Sequence, residues 1–198
     1  MKVKKKVLIT TSREPSPRTR SFVKDLTSLA PWLVRLNRGK MTFQELVEEA
    51  LAENSETLAV IGEMRGNPSI IRLYDLSQAS ASKKILHTYT IFLKGVALSR
   101  EAGHHGIEAE KIREIIVDSI PEASEETRAL ILALHQLFQT GLTLPPEGKY
   151  IKISINSSLK IIKFKQLPGN LNMGPIIKYH KITSPRRTLE LGEEIESK

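Results

Sequence analysis

The sequence predicts a mixed α/β protein in which helices pack on a sheet. Over residues 7–76, short apolar or β-branched runs alternate with amphipathic helical spacing, in the order strand, helix, strand, helix, strand, strand. A similar pattern returns, less regularly, after residue 86. We therefore expect two similar halves, 1–82 and 83–198, each a mixed sheet with helices on it and together forming one domain. The small polar stretch 77–82 is the expected junction.

The composition favours a soluble protein of a reducing compartment. Hydrophobic residues make up 40% of the 198 positions, and no apolar run approaches the length needed to span a membrane. The basic N-terminus precedes a strand pattern and not a signal-peptide core. The absence of cysteine excludes disulfides and cysteine-based zinc sites. We expect a cytoplasmic protein with no membrane partner.

The charge distribution predicts a surface for a polyanion. The net charge is +8, but residues 1–40 carry 11 basic and 2 acidic side chains, and residues 149–187 carry 9 basic and none acidic. Residues 41–148 carry 9 basic and 16 acidic side chains. Two basic segments around an acidic middle predict one basic surface built from both ends of the sequence. The alternative is that the two segments never meet in space.

The first elements are predicted as a buried strand, a polar turn and a helix. Residues 7–10 are apolar or β-branched, which suits a strand covered on both faces. Ser16 suits the N-cap, and Pro17 suits the first helical position. The apolar stripe of this helix consists of Phe22, Val23, Leu26, Leu29 and Ala30. The N–H groups of the helix start, beside hydroxyls and arginines, suit a phosphate. The alternative is that Ser16 only caps the helix and the arginines only solvate it.

The other elements follow from the same two periodicities. Thr42 and Glu45 form a capping box before the second helix, and a turn at 66–69 joins two strands. The other elements predicted in the first half are strand 32–36, helix 43–53, strand 58–61 and strand 70–76. Those predicted in the second half are strand 86–98, helix 108–120, helix 124–139 and strands 150–155, 159–165 and 176–182.

The sequence contains no catalytic or phosphate-cradling motif. It lacks G-x-x-x-x-G-K-[ST], G-x-G-x-x-G, H-E-x-x-H and G-x-S-x-G. The adjacent His104 and His105 lie in a predicted loop without further ligands nearby in sequence, and His135 lies within a predicted helix. We therefore expect no enzyme activity, no cofactor and no metal site.

Binding is the expected activity. The basic turns of the first half fall at the ends of strands, where an open α/β sheet gathers its ligand-binding loops. Lysines of the late strands are expected on a basic sheet face. Because only 5% of the residues are aromatic, backbone charge should dominate over base stacking. The candidate RNA-binding residues are Thr11, Ser12, Arg13, Arg18, Arg20, Lys24, Arg35, Arg38, Lys40, Arg65, Lys152, Lys163 and Lys165.

Four stretches resemble the Brix-domain ribosome-biogenesis proteins. They are ITTSREPS at 9–16, the segment 18–26, RLNRG at 35–39 and EMRGNP at 63–68. Their order and spacing are similar to the branch that contains the eukaryotic small-subunit-processome member and short archaeal proteins. Beyond residue 83, only the general pattern and the pair Gly174-Pro175 are similar.

The resemblance implies two similar α/β halves, each like the anticodon-binding domain of class II aminoacyl-tRNA synthetases. It also implies binding to ribosomal RNA or its precursors during ribosome assembly, without catalysis and alongside other assembly proteins. The competing hypothesis is a protein-interaction scaffold whose basic ends meet an acidic partner.

Overall fold

The computed structural model describes residues 4–104, 106, 108–118, 123–142 and 147–191. Within these ranges, ten strands form one mixed sheet and four helices pack on it, which confirms the predicted fold class. The strands are β1 (Lys6–Thr11), β2 (Leu33–Arg35), β3 (Ser55–Met64), β4 (Asn67–Asp75), β5 (Lys84–Ala97), β6 (Ile112–Val117), β7 (Lys149–Asn156), β8 (Ile161–Leu167), β9 (Leu171–Thr183) and β10 (Arg187–Glu190). The helices are α1 (Pro17–Thr27), α2 (Phe43–Ala52), α3 (Ala79–Ser82) and α4 (Glu125–Phe138).

The strands follow the order β2-β1-β3-β4-β5-β9-β8-β7-β6, and β10 pairs with β5. In the first part of the sheet, β1 runs parallel to β3, β4 pairs antiparallel with β3, and β5 pairs antiparallel with β4. In the second part, β6 runs parallel to β7, β8 pairs antiparallel with β7, and β9 pairs antiparallel with β8. The same order of strand directions thus occurs twice, and the two parts meet where β5 pairs with β9. Because the sheet is unbroken at β5, a division at residue 82 stays a prediction.

The structure of β1, α1 and α2 agrees with the burial and capping that their sequence predicts. Residues 7–9 are almost fully buried because both faces of β1 are covered: Val7 and Ile9 belong to one hydrophobic core and Leu8 to another. Ser16 caps α1 by accepting a hydrogen bond from the backbone N–H of Thr19 at 3.2 Å. Thr42 and Glu45 form the predicted capping box at the start of α2.

Two hydrophobic cores lie on opposite faces of the sheet. On the first face, α1 and α4 pack over both parts of the sheet, with Phe22 and Phe138 fully buried. On the second face, α2 and α3 cover the first part only, and Leu189 of β10 joins Leu46 and Leu58 in this core. No described residue of β7, β8 or β9 belongs to the second core. Among the described elements, the second face is therefore open over these three strands.

The predicted helix at 108–120 is wrong. A 3-10 turn at Ala109–Lys111 leads into β6, and residues 119 and 120 lie outside the described ranges. Ile112 and Ile115 both face the core, because a bulge after Ile112 shifts the strand register. A spacing of three residues between core positions is also the spacing of a helix. β-branched side chains at four of the six positions of IREIIV favour the strand.

Candidate nucleic-acid interface

The start of α1 already holds an anion of the chain itself. Glu63, from the hairpin between β3 and β4, places Oε2 at 2.9 Å from the backbone N–H of Ser16 and at 2.8 Å from its hydroxyl, and both donate to it. The Ser16 hydroxyl also lies 2.9 Å from the carbonyl oxygen of Gly66. A carboxylate thus lies where the sequence suggested a phosphate, so any anion from outside must bind elsewhere or displace Glu63.

The candidates of the turn after β1 differ in accessibility. Thr11 is buried, and the backbone N–H of Ser12 donates to the carbonyl of Ile61 at 2.8 Å, so both residues continue the sheet. Arg13 is exposed beyond them, and Arg65 is exposed at the tip of the β3–β4 hairpin. These two guanidinium groups are available to a ligand, whereas the two hydroxyl residues mainly fix the backbone.

Arg18 is engaged within the protein. Its guanidinium donates to both carboxylate oxygens of Glu101, and Nη2 also donates to the carbonyl of Val96 at 2.8 Å. The hydrogen bond from Arg18 lowers the pKa of Glu101, and the bond to Glu101 raises the pKa of Arg18. This pairing ties α1 to the loop after β5 and neutralises one predicted phosphate-binding charge.

Arg38 is a buried cation held by carbonyl groups. Only 7% of the residue is exposed, and Nε donates to the Met41 carbonyl at 3.2 Å while Nη1 donates to the Thr11 carbonyl at 3.4 Å. Within the described residues, no carboxylate forms an ion pair with it. Burial lowers the pKa of Arg38, and the nearby charge of Arg13 lowers it further. Its neighbours Arg35 and Lys40 are exposed.

The first lysines that the structure describes, Lys4, Lys5 and Lys6, are also neutralised. Lys4 donates to Glu114 at 2.6 Å and to the Gln139 carbonyl at 2.5 Å. The two following lysines pair with carboxylates at the start of β3 and the end of α2: Lys5 with Glu56 and Lys6 with Glu53. Part of the N-terminal positive charge is therefore cancelled by the acidic middle of the sequence.

The lysines of the late strands lie on the second face of the sheet. Ile162 and Phe164 are buried in the first core, so the alternating side chains of Lys163 and Lys165 point to the opposite face. Lys152 on β7 pairs in register with Lys165, and its ammonium lies 2.9 Å from Asp118. Lys163 is exposed, and the other two are half-buried.

The structure thus divides the predicted candidates between two faces. Arg20 and Lys24 are exposed on α1, which covers the first face, whereas the strand lysines lie on the second. Sequence reasoning missed three cations that share the second face with them: Arg72, Lys178 and Lys181. The alternation that identified the lysines of β7 and β8 was available for β4 and β9 as well.

His104 and His135 have structural partners. His104 Nδ1 is hydrogen-bonded to the carbonyl of Gly174 at 2.7 Å, and His135 Nδ1 to the hydroxyl of Thr140 at 2.7 Å, whereas His105 lies outside the described residues. In the part of the chain that the structure describes, no three acidic, histidine or cysteine side chains gather as metal ligands. No described helix has the length and apolar character required to cross a bilayer.

Comparison with known proteins places the chain in a family. It is 34% identical over 178 residues to a probable Brix domain-containing ribosomal biogenesis protein of Aeropyrum pernix, with coverage of 87% of this chain and 94% of the relative. The chain belongs to the Brix-domain family of ribosomal biogenesis proteins. A crystal structure of a probable ribosomal biogenesis protein from Aeropyrum pernix K1 matches this Brix protein with a TM-score of 0.75 and 31% identity, over 90% of this chain and 97% of that chain.

Further relatives extend the comparison. The U3 small nucleolar ribonucleoprotein protein imp4 of Schizosaccharomyces pombe is 31% identical over 144 residues, which are 73% of this chain and 45% of the yeast protein. The crystal structure of Mil, an archaeal Imp4-like protein, has a TM-score of 0.61 at 22% identity over 90% of this chain and 99% of that chain, which shows a shared fold. No family model matches the chain. The resemblance drawn from residues 9–68 is confirmed.

In this Brix protein, Glu63→Gln is expected to lower the free energy of unfolding by about 1–2 kcal/mol at neutral pH, because charge-assisted hydrogen bonds are lost. Burial alone would raise the pKa of Glu63, but hydrogen bonds from Thr19 and Ser16 outweigh it and hold the pKa below its usual value. The stabilisation is therefore complete above the unfolded pKa of about 4.3 and is lost as the pH falls through the folded pKa.

Urea denaturation of both proteins from pH 7 to pH 3 measures this effect. The deficit of Glu63→Gln should shrink below about pH 4. Glu49→Gln, at an exposed position of α2 without a side-chain hydrogen bond to any described residue, is the matched control. A deficit that is equally large at pH 3 and pH 7 would contradict the assigned role of the carboxylate.

Proposed function

We propose that this Brix protein is a non-catalytic assembly factor that binds ribosomal RNA or its precursor in the cytoplasm. Its relatives are named ribosomal biogenesis proteins, and the yeast relative is named as a ribonucleoprotein component. The observation that carries the proposal is the segment 149–187, which has 9 basic and no acidic side chains and forms open strands of the sheet. Three of these cations, Lys149, Lys152 and Lys160, pair with carboxylates from elsewhere in the chain, and the other six suit a phosphate backbone.

RNA binding is expected to fall steeply with salt. Filter binding to in vitro transcribed small-subunit ribosomal RNA, between about 50 and 200 mM salt, should show a loss of affinity of about 100-fold or more, because each neutralised phosphate releases counterions. RNA recovered after incubation should keep its length, as a non-catalytic factor requires. Absent binding, or affinity that does not change with salt, would contradict the proposal.

The scaffold hypothesis makes a different prediction. The apolar stripe of α4, which could have docked a partner, is buried in the first core at Leu130, Leu134, Leu137 and Phe138. We therefore favour RNA as the direct ligand and other assembly proteins as partners held through it. Pull-down after nuclease treatment separates the two hypotheses, because protein partners retained without RNA would support the scaffold.

A further inference from the structure

We propose that the RNA backbone binds the second face of the sheet, along one band of cations that runs from β4 across β9 to β8. This cation band consists of Arg72, Lys181, Lys178, Lys163 and Lys165. The inference rests on the proposed RNA binding and specifies its surface, on the side of the sheet opposite α1.

Strand register places the band on one face. Arg72 of β4 lies opposite Val60, a residue of the second core, so its side chain points to the second face. Phe92 of β5 lies between Ile91 and Leu93 of the first core, so it points the other way, and its partner on β9 is Lys181. These pairings carry the band from the first part of the sheet to the second.

The band continues over the uncovered strands. Lys178 lies between Ile177 and Tyr179 of the first core, and it pairs in register with Ile161 of β8. Lys163 and Lys165 follow along β8 on the same face. Because neighbouring strands are about 4.8 Å apart, the three steps from β4 to β8 extend over about 14 Å, a width that accommodates more than one nucleotide of a chain.

The N-terminal end of the band reaches the basic loops after β1 and β2. Tyr74 lies two residues after Arg72 on the same face of β4, and it stacks on His87 with ring centroids 4.9 Å apart. Phe43, at the start of α2, meets the ring of Tyr74 edge to face with centroids 4.8 Å apart, and Arg38 donates to the carbonyl of Met41 at 3.2 Å. The loop that holds Arg38 therefore lies beside the second-face side chain next to Arg72.

The charges of the band lack internal counterions. No Asp or Glu lies within 149–187, and none of the five band residues forms an ion pair with a described residue. By contrast, Arg18 and Lys152 are paired with carboxylates. Like charges on neighbouring strands repel each other. A polyanion bound over these cations would therefore reduce their mutual repulsion and be attracted to them.

The chemistry of the band favours RNA over an acidic protein. Protein interfaces place aromatic and apolar residues at the centre and deplete lysine there, whereas nucleic-acid surfaces are polar and strongly positive. Lysines are central in this band. The large hydrophobic residues exposed beside it are Phe92, which is 36% exposed, and Leu159, which is 60% exposed and lines the same surface depression as Lys163. Backbone contacts should therefore dominate, with little dependence on base sequence.

The test compares two triple variants with equal charge change. The band variant is Lys163→Gln, Lys178→Gln and Lys181→Gln, and the control variant is Lys83→Gln, Arg100→Gln and Arg128→Gln at exposed positions away from the band. Fluorescence titration with poly(U) should show a loss of affinity on the order of tenfold or more for the band variant, and a decrease of about 2 in the salt slope. The control variant should stay within about threefold of the unmodified protein.

The outcomes separate the inference from the function on which it rests. If the unmodified protein binds poly(U) and both variants lose affinity equally, or the band variant loses none, the band is wrong while RNA binding stands. If the unmodified protein fails to bind RNA, both are overturned. A third outcome is that the unmodified protein binds polyglutamate more tightly than poly(U) and that the band variant loses this binding. That outcome would assign the band to an acidic protein and overturn the inference.

Lysine acylation provides a readout without substitutions. Bound poly(U) should protect Lys163, Lys178 and Lys181 from an acylating reagent, as measured by mass spectrometry, and leave Lys83 reactive. Protection of Lys83 equal to that of the three band lysines would argue against a defined surface.

Discussion

Phe138→Ala is expected to lower the free energy of unfolding by about 3–5 kcal/mol, since it removes a large buried ring from a packed core. Phe138 is fully buried, and its ring meets that of Phe164 edge to face with centroids 5.5 Å apart. Urea denaturation monitored by circular dichroism measures the effect. Leu132→Ala, on the same helix but 54% exposed, is the control and should cost less than about 1 kcal/mol.

The same variant tests whether the two parts of the sheet are one cooperative unit. The first core contains α1 and α4 together, and the indole N–H of Trp32 donates to the Phe138 carbonyl at 2.9 Å. Loss of the Phe138 ring should therefore accelerate amide hydrogen exchange in β1 as well as in β8 and β9. Unchanged protection of Val7 and Ile9 in β1 would show that the halves unfold independently.

The sequence predicted most elements because their local signals agree with their final environment. The cap at Ser16, the capping box at Thr42 and the alternation in β7 each depend on residues close in sequence. β6 was mistaken for a helix because a strand bulge imitates helical spacing. β10, which has one buried side chain, Leu189, was not predicted, since so short an edge strand leaves no periodic signal.

The candidate interface was harder to predict because ion pairs join distant parts of the chain. Nothing local indicates that Glu101 would neutralise Arg18, that Glu114 would meet Lys4, or that Glu63 would occupy the start of α1. Of the cations expected on one basic surface, the lysines at 4–6 are paired with carboxylates, and Arg20 and Lys24 lie on α1, on the face opposite the late-strand lysines.

Gly174→Ala is expected to cost about 3 kcal/mol, from backbone strain and from a steric contact together. Gly174 has φ +60°, and a Cβ atom there would lie 2.8 Å from Cδ2 of Leu29, a fully buried residue just after α1. Gly39 has nearly the same conformation, φ +55°, but no atom within 4 Å of the added Cβ. Gly39→Ala should therefore show the backbone cost alone, about 1–2 kcal/mol.

A double-mutant cycle tests whether the contact with Leu29 accounts for the difference in cost between Gly174→Ala and Gly39→Ala. In a Leu29→Ala background the clash is removed, so Gly174→Ala should cost no more than Gly39→Ala does in the unmodified protein. Chemical denaturation of the four proteins of the cycle gives the coupling energy. An equal cost of Gly174→Ala in both backgrounds would show that β9 shifts away from Leu29. Because β9 also carries Lys178 and Lys181, such a shift would move those two lysines of the cation band as well.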